Sequence, residues 1–438
     1  MWLAGGENRL YGPEDRERRF GGGARSGRDL RDPFERDYGR IIHSAAFRRL
    51  QAKKQVIGTD AGDFHRTRLT HSMEVAQIAR GITLSLNRRS PLLQAGEKID
   101  VSLVEAAALA HDLGHPPFGH EGERALHQCM LPYGGFEGNA QTFRILTRLE
   151  GKKGEGLNLT RGLLLSVMKY PIPMEEAMGE IKGLTGDNRP PKASVYASDR
   201  PAWEWLLAPL SQRERAFYTE TGREPSSPFH QTRRMSLECS LIDLADDIAY
   251  ATHDLEDAVN FRLVEVEELA EVLINAAAEN PFCEELGQAA HLSRSLHLRQ
   301  EDFKHHLKQV FANLISAFVH AVELRKEGES KFSPRLRYRA LLPEGLRELN
   351  RQLKKVVERR VIHSPDVQAL AFKGDRIVRL LFEALMAEEK LLPENDRKQL
   401  EQHPEDRARV VCDYLAGMTD PYAVRMFERL YGSGRTLF

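Results

Sequence analysis

The chain has 438 residues and a nearly balanced charge, with 63 lysines and arginines against 64 aspartates and glutamates, and 41% of its residues are hydrophobic. This length suits two or three domains, or one large helical domain with additions, and is ample to bury a core. The balanced charge excludes a uniformly basic nucleic-acid coat protein, and without an apolar run of ~20 residues or a leader segment we expect a soluble, cytoplasmic protein.

The first 30 residues are rich in glycine and arginine and poor in apolar side chains. Five of the arginines are Arg16, Arg18, Arg19, Arg25 and Arg28. This composition is typical of a flexible arm. The arm is either a solvated tail or a segment that reaches a neighbouring subunit or a polyanion.

Apolar residues recur at helical spacing from residue 31 onward, and alternating strand patterns are scarce. The pattern predicts helices from about residue 37 and over residues 69–86, 101–111, 140–150, 159–169, 301–325, 345–362, 371–389 and 406–417. The helix that ends at His111 is almost entirely apolar, which indicates burial, and Gly114 with the prolines beyond it indicates its end. We therefore predict an all-α protein, with the first part of its core over residues 31–170.

Residues 171–230 interrupt this pattern with repeated prolines and glycines. We expect an irregular insertion with one short helix near residues 203–208, forming a loop or lid at the mouth of a pocket. The helical pattern resumes at Met235. Residues 231–438 are therefore expected to complete the core and to form a helical C-terminal region.

An adjacent histidine and aspartate, His111 and Asp112, follow the buried helix. Aspartate is seldom fully buried without a partner, and imidazole with carboxylate suits a divalent transition metal. Neighbouring helical residues point about 100° apart, so further ligands must come from other helices. His71 is the natural third ligand, although in isolation it would be interpreted as a structural core histidine.

A carboxylate on a later helix is expected to complete the set. Asp246, Tyr250 and Asp254 recur every four residues and therefore share one helix face. Such an acidic stripe is usually solvated, but the tyrosine and the apolar context favour a pocket wall. The basic pair Lys53 and Lys54 has two open interpretations, as a surface charge run or as the lining of a pocket for an anionic substrate.

Six ordered strings resemble the bacterial deoxyguanosinetriphosphate triphosphohydrolase family of HD-domain metal phosphohydrolases. They occupy residues 47–56, 66–72, 111–120, 136–141, 245–250 and 413–420 and together extend over nearly the whole chain. The resemblance implies an all-α HD-domain core and an enzyme that cleaves a deoxynucleoside triphosphate, either dGTP or dNTPs in general. The products would be the deoxynucleoside and inorganic triphosphate.

The resemblance also implies a metal centre and an acid. The implied ligands of a divalent cation are His71, His111, Asp112 and Asp246, and Mg, Mn or another transition metal stays open as its identity. The cation would polarise the α-phosphate and help to generate hydroxide. His120 would donate a proton to the leaving 5′ oxygen, and Glu123 would orient its ring.

The implied substrate contacts form a second group. They are Gln55, Arg68, His115, Asn139, Tyr250, Asp254 and Asp420. Arg68 and His115 would hold phosphate oxygens, and Tyr250 would leave no room for a 2′-hydroxyl, with Asp420 completing that wall. Some relatives carry a histidine at the position of Gly138, so here Asn139, Gln141 or neither would meet the phosphates.

Two other functions stay open at this point. One is an HD phosphohydrolase that acts on nucleoside monophosphates, and the other is a catalytically weak regulatory protein that binds nucleotides or single-stranded DNA. The resemblance further implies a ring-like homo-oligomer such as a hexamer, with a regulatory nucleotide or single-stranded nucleic acid as further partners and no membrane.

Overall fold

The structure is a computed structural model that describes residues 8–22, 30–55, 66–152, 154–179, 189–223, 227–296 and 301–432. The described residues form twenty α-helices and two small antiparallel hairpins, so the all-α prediction is confirmed. The first ten helices are α1 Pro33–Ile42, α2 Ala45–Arg49, α3 Arg68–Arg89, α4 Val101–Ala110, α5 Gly119–Met130, α6 Gly138–Arg144, α7 Arg161–Val167, α8 Met174–Met178, α9 Arg200–Leu207 and α10 Gln212–Tyr218.

The remaining elements follow in chain order. The helices are α11 Leu237–Asn260, α12 Val266–Glu279, α13 Glu284–Arg294, α14 Phe303–Ala321, α15 Pro334–Arg337, α16 Glu344–Val357, α17 Pro365–Ala387, α18 Glu394–Gln402, α19 Arg407–Ala416 and α20 Asp420–Tyr431. The strands are β1 Thr221–Arg223, β2 His230–Thr232, β3 Glu323–Lys326 and β4 Tyr338–Leu341, and β1 pairs with β2 and β3 with β4.

The chain divides into two compact units. Unit 1 comprises Met1–Leu10, Met73–Ala108 and Leu237–Gln368, and unit 2 comprises Tyr11–Ser72, Leu109–Ser236 and Ala369–Phe438. The division falls within α3, α4 and α17, each of which contributes residues to both units.

Unit 1 is built from amphipathic helices. In α16, Leu346, Leu349, Leu353 and Val357 are buried at spacings of three and four residues. This is the pattern of a helix that places one stripe on the core and its charged residues elsewhere.

The first α-helix of unit 2, α1, has a start that its own sequence determines. The Asp32 carboxylate accepts hydrogen bonds from the backbone amides of Phe34 and Glu35, and the Glu35 side chain accepts one from the Asp32 amide. Together with Pro33 in the first turn, this reciprocal capping satisfies amides that have no partner within the helix.

The turn after α4 approaches α6 so closely that it requires glycine. A Cβ atom at Gly114 would lie 2.1 Å from the carbonyl oxygen of Gly138, a distance that no side chain tolerates. The Gly114 amide donates to the hydroxyl of Thr142 at 2.9 Å. The residues that follow α4 are thereby packed directly on α6.

Most of the helices named above in the sequence appear where the periodicity predicts them. Two of them end in a π-helical turn, at Ile145–Leu149 and Glu358–Ile362. The insertion contains α9 near the predicted position, and it also contains α8, α10 and the β1–β2 hairpin. Helix α5 had no counterpart among the predictions because its start follows two prolines that indicate a break.

The expected arm over residues 1–30 is packed where the structure describes it. Arg18 is 9% exposed, and its guanidinium donates to the buried Asp37 carboxylate at 2.5 Å. The other Asp37 oxygen accepts hydrogen bonds from the amide and hydroxyl of Thr160. Tyr11, Asp15 and Arg18 are therefore buried in unit 2, although Phe20, Gly21 and Gly22 are exposed. Arg25 and Arg28 lie outside the described residues.

Candidate functional site

Two histidine rings meet where α3 begins and α4 ends. The Thr67 hydroxyl accepts a hydrogen bond from the Thr70 amide and so caps the start of α3, which places His71 in the first helical turn. His111 directly follows α4. The two ring centroids are 5.7 Å apart, and each ring offers a nitrogen within 4.8 Å of the other.

Asp112 lies between an arginine and two histidines. Its Oδ2 accepts a hydrogen bond from Arg68 at 2.6 Å, and its Oδ1 lies 3.0 Å from Nδ1 of His115 and 3.4 Å from Nε2 of His111. Burial raises the pKa of this carboxyl, but the charges of His115, His111 and Arg68 outweigh burial and hold the pKa well below its usual range. Asp112 is therefore an anion at neutral pH.

These side chains form a donor set that fits a divalent cation. Two imidazoles and an ionised carboxylate are ligands that transition metals accept, and Mg²⁺ would rely more on the oxygen. The Arg68 guanidinium holds the Asp112 carboxylate from its other side, as the outer partners of metal ligands commonly do. The chemistry of the residues thus agrees with the predicted metal centre, without selecting the metal.

A buried carboxylate holds an exposed histidine on α5. The Glu123 side chain is 5% exposed, and its Oε2 lies 3.3 Å from Nδ1 of His120, whose side chain is 75% exposed. Its Oε1 accepts the backbone amide of Gly138 at 2.7 Å. Burial raises the pKa of Glu123, but the hydrogen bond with His120 and the charge of Lys192 outweigh burial. The pKa of Glu123 therefore lies below its usual value, and the carboxylate stays ionised.

His115 connects the two groups. Its ring is 5.4 Å from the His120 ring, edge to face, and its Nδ1 is directed at Asp112. Burial lowers the pKa of His115, and the nearby Arg68 lowers it too, while Asp112 opposes both. Arg68, His115, His120 and Glu123 therefore form one continuous cluster within unit 2.

Lys192 is a charged residue near this cluster that sequence reasoning missed. Its ammonium lies 3.8 Å from Oε1 of Glu137, and the charges of Glu123 and Glu137 raise the pKa of Lys192 against the effect of burial. The lysine lies in the proline-rich insertion, and no spacing rule relates it to His120. Only the need of an anionic substrate for positive charge could have drawn attention to it.

The residues around Gly138 are engaged with carboxylates. The side-chain amide of Asn139 donates to Glu137 at 2.8 Å, and that of Gln141 donates to Asp413 at 3.1 Å. A Cβ atom at Gly138 would lie 3.1 Å from Oε1 of Glu123. Position 138 thus faces the His120–Glu123 pair, and glycine leaves space there.

Lys53 and Asp420 have partners that the sequence did not indicate. Lys53 is 3% exposed, and its ammonium donates to the carbonyl oxygens of His115 and Ala416. The Asp420 carboxylate accepts the backbone amides of Lys54 and Phe118, both at 3.0 Å. The expected role of Asp420 beside a sugar stays a prediction, because a carboxylate that accepts one amide at each oxygen keeps further acceptor sites.

The remaining predicted residues lie in two places. Asp246, Tyr250 and Asp254 share α11 in unit 1, as their spacing requires. Burial raises the pKa of Tyr250, and the charge of Asp254 raises it further. Gln55 belongs to unit 2, and its buried Oε1 has no hydrogen-bond partner among the residues that the structure describes.

Comparison with known proteins identifies two family regions. The HD domain matches residues 68–251, and the phosphohydrolase-associated domain matches residues 340–429. None of the helices within the described ranges combines the length and the apolar character that a bilayer crossing demands.

Several curated relatives match nearly the whole chain, and each is named "Deoxyguanosinetriphosphate triphosphohydrolase-like protein". The Shewanella pealeana protein is 42% identical over 434 residues, covering 95% of this chain and 96% of its own. The Shewanella halifaxensis protein is 40% identical over 440 residues, with 95% of each chain covered. The protein of Shewanella baltica strain OS223 is 41% identical over 441 residues, again with 95% of each.

Proposed function

The chain belongs to the family of deoxyguanosinetriphosphate triphosphohydrolase-like proteins with an HD domain, and from that premise we propose that it hydrolyses deoxynucleoside triphosphates in a metal-dependent reaction. The substrate is dGTP or dNTPs in general, and the products are the deoxynucleoside and inorganic triphosphate. The observation that carries the proposal is the exposed His120, held by the buried Glu123 beside the Arg68–Asp112 cluster.

The proposed ligands of the metal are His71, His111, Asp112 and Asp246. A divalent cation held by these residues would supply Lewis acidity at the α-phosphate. The depressed pKa of Asp112 supports this assignment, because the carboxylate offers a negative oxygen at neutral pH. Mg, Mn and other transition metals such as Fe, Co, Ni and Zn are all candidates.

Positive side chains neutralise the triphosphate. Arg68 binds Asp112 through one guanidinium nitrogen, which leaves other donors of the planar group for a phosphate oxygen. His115 lies next to it, and Lys192 adds charge near Glu123. A substrate with about four negative charges is drawn to such surroundings.

His120 protonates the leaving 5′ oxygen. Its ring is held through Nδ1, so Nε2 is the nitrogen that faces away from Glu123 and can carry a proton to the substrate. The ionised Glu123 holds the ring through Nδ1 and so keeps it oriented for proton transfer. The sugar would then leave as the deoxynucleoside.

The sugar is selected by residues whose role is carried over from the family. Gln55, Tyr250 and Asp254 pack on the deoxyribose or bond its 3′-hydroxyl, and Tyr250 leaves no room for a 2′-hydroxyl. The buried, unpartnered Oε1 of Gln55 within the described part of the chain agrees with such a use. The same family membership leads us to propose that the protein is cytoplasmic and forms a homo-oligomer such as a hexamer. Light scattering in solution measures the number of subunits.

A product assay tests the proposal. The purified protein is stripped of metal, supplied again with Mn²⁺ or Mg²⁺, and incubated with each dNTP, NTP and nucleoside monophosphate before chromatography. Intact triphosphate and deoxynucleoside are expected from dNTPs, with His120→Ala as the low-activity control. Release of orthophosphate from nucleoside monophosphates would instead indicate a different phosphohydrolase. An absence of turnover with every nucleotide, together with salt-sensitive binding to single-stranded DNA, would indicate a regulatory protein.

A further inference from the structure

The turn that leads into His120 has an unusual backbone. Phe118 has φ 65° and ψ 18°, and the next residue, Gly119, has φ 61°. Two consecutive left-handed residues therefore stand directly before His120. For a bulky residue this conformation is strained and persists only where the surroundings hold it.

A carboxylate and an ammonium hold the two ends of this turn. Asp420 accepts the amide of Phe118 through Oδ1 and the amide of Lys54 through Oδ2, both at 3.0 Å. The Lys53 ammonium donates to the carbonyl oxygen of His115. The turn from His115 to Phe118 is thus tied at its start by Lys53 and at its end by Asp420.

Residues 53 and 54 are themselves anchored at the start of α3, beside Arg68 and Asp112. The carbonyl oxygen of Lys53 accepts the backbone amide of Arg68 at 3.0 Å, and Lys54 pairs with Thr67 in an isolated antiparallel bridge. Because Arg68 binds Asp112, the residues at 53 and 54 connect the start of α3 to the turn before His120.

Packing leaves the turn little freedom to move. A Cβ atom on Gly374 of α17 would lie 2.7 Å from Cβ of Phe118, and one on Gly122 would lie 1.9 Å from the Pro117 carbonyl oxygen. The Phe118 side chain is 9% exposed and belongs to the hydrophobic core of unit 2. The strained backbone is therefore fixed by its amide from one side and by its side chain from another.

We propose that Asp420, with Lys53, is a positioning residue that clamps the His115–Phe118 turn and thereby sets the orientation of His120 toward the substrate. The catalytic readout of this inference rests on the proposed function, whereas the clamp itself does not. Asp420 needs no contact with substrate for this role. A displacement of about 1 Å at a reacting group can lower a rate about 100-fold, so the expected effect is large.

Asp420→Asn is the discriminating variant. The amide has one acceptor oxygen, so only one of the two backbone amides can keep its bond, while the other faces an NH₂ group. We expect kcat to fall at least tenfold, with KM changed less than threefold and the metal content unchanged. Asp375→Asn is the matched control. Among the described residues, Asp375 pairs only with Arg379, which lies one turn away on a partly exposed face of α17.

A double-mutant cycle separates positioning from general damage. If Asp420 acts through His120, Asp420→Asn lowers the residual rate of His120→Ala by less than twofold. If both variants act independently, their factors multiply, and the proposal is overturned. The pair of amides also gives a readout without turnover: hydrogen exchange in peptides covering residues 50–55 and 113–119 should accelerate at least tenfold in Asp420→Asn.

A second variant approaches the turn from its packed side. Gly374→Ala must displace Phe118, so the same rise in hydrogen exchange and the same loss in kcat are expected. Gly287→Ala on α13 is its control, because a Cβ atom there meets nothing within 4 Å among the described residues. In both Asp420→Asn and Gly374→Ala, the rate at which diethylpyrocarbonate modifies His120 should change at least threefold.

These readouts keep the two proposals apart. A wild-type protein without turnover would contradict the proposed function, and the exchange and modification rates would still decide on the clamp. Unchanged exchange at residues 113–119 together with unchanged His120 modification would overturn the clamp even in an active enzyme.

Discussion

Each unit buries an arginine against a carboxylate, and the surroundings of the two pairs differ. In unit 1, Arg335 and Glu238 have side chains that are 2% and 0% exposed, and the guanidinium donates through Nε and a terminal nitrogen at 3.0–3.2 Å. In unit 2, Arg68 meets Asp112 through a single short contact of 2.6 Å, and the other Asp112 oxygen faces His111 and His115.

The difference shows what distinguishes a structural ion pair from a site. Arg335 and Glu238 match each other in a forked geometry, which suits a buried pair that must compensate its own desolvation. Asp112 instead binds one arginine nitrogen and faces two imidazoles, whose ring nitrogens can bind a metal ion or a phosphate oxygen. Burial of charge is common to both pairs, and the imidazole nitrogens beside Asp112 separate them.

Removal of a proposed ligand should have the largest effect. His111→Ala and Asp246→Ala are each expected to lose the bound metal and to lower kcat on the order of 10⁴-fold, because the cation contributes several kcal/mol to the transition state. Metal content by mass spectrometry and rates of product release check this together. Full metal content in either variant would remove that residue from the ligand set.

Breaking the structural pair should affect stability and leave the site intact. Arg335→Met leaves Glu238 buried without its partner, and we expect the free energy of unfolding to fall by about 3–5 kcal/mol. Urea unfolding measures this loss, and the metal content and kcat of the folded fraction should match the wild type. A lower metal content in the folded fraction would contradict the contrast drawn between the two pairs.

Removal of the proposed acid should leave the metal in place. His120→Ala is expected to retain the cation and to lower kcat about 10²–10³-fold, the usual contribution of general acid catalysis. Steady-state kinetics and metal analysis of the same sample check both parts. A rate near that of the wild type would show that another group protonates the leaving oxygen.

Local sequence was sufficient for some parts of the structure and insufficient for others. The periodicity of α3, α4 and α11 and the adjacent His111–Asp112 pair are local features, and local rules describe them well. The left-handed Phe118, by contrast, donates its amide to Asp420, which lies 302 residues further along the chain.

Long-range pairing also explains why residues 11–22 differ from expectation. Glycine and arginine there are typical of a mobile arm, yet the partner of Arg18 is Asp37 on α1, and Asn158 accepts a further hydrogen bond from it. Lys192 is a similar case, because only the fold brings its ammonium near Glu137. Composition cannot reveal such contacts, since each depends on which distant residue the fold supplies.

The contrast between the units can be sharpened by a small pH effect at Glu123. Its pKa is lowered in the folded protein from an ordinary value of 4.5, because the hydrogen bond with His120 and the charge of Lys192 outweigh burial.

A carboxyl with a lowered pKa contributes stability that is complete above its unfolded pKa and is lost as the pH falls below that value. Relative to Glu123→Gln, the wild type should therefore lose unfolding free energy, on the order of 1 kcal/mol, between neutral pH and about pH 3.5. Urea unfolding of both proteins across this range measures the difference, in which the other titrating groups largely cancel. Parallel curves would mean that Glu123 has an ordinary carboxyl in the folded state, and would remove the electrostatic support for its role in orienting His120.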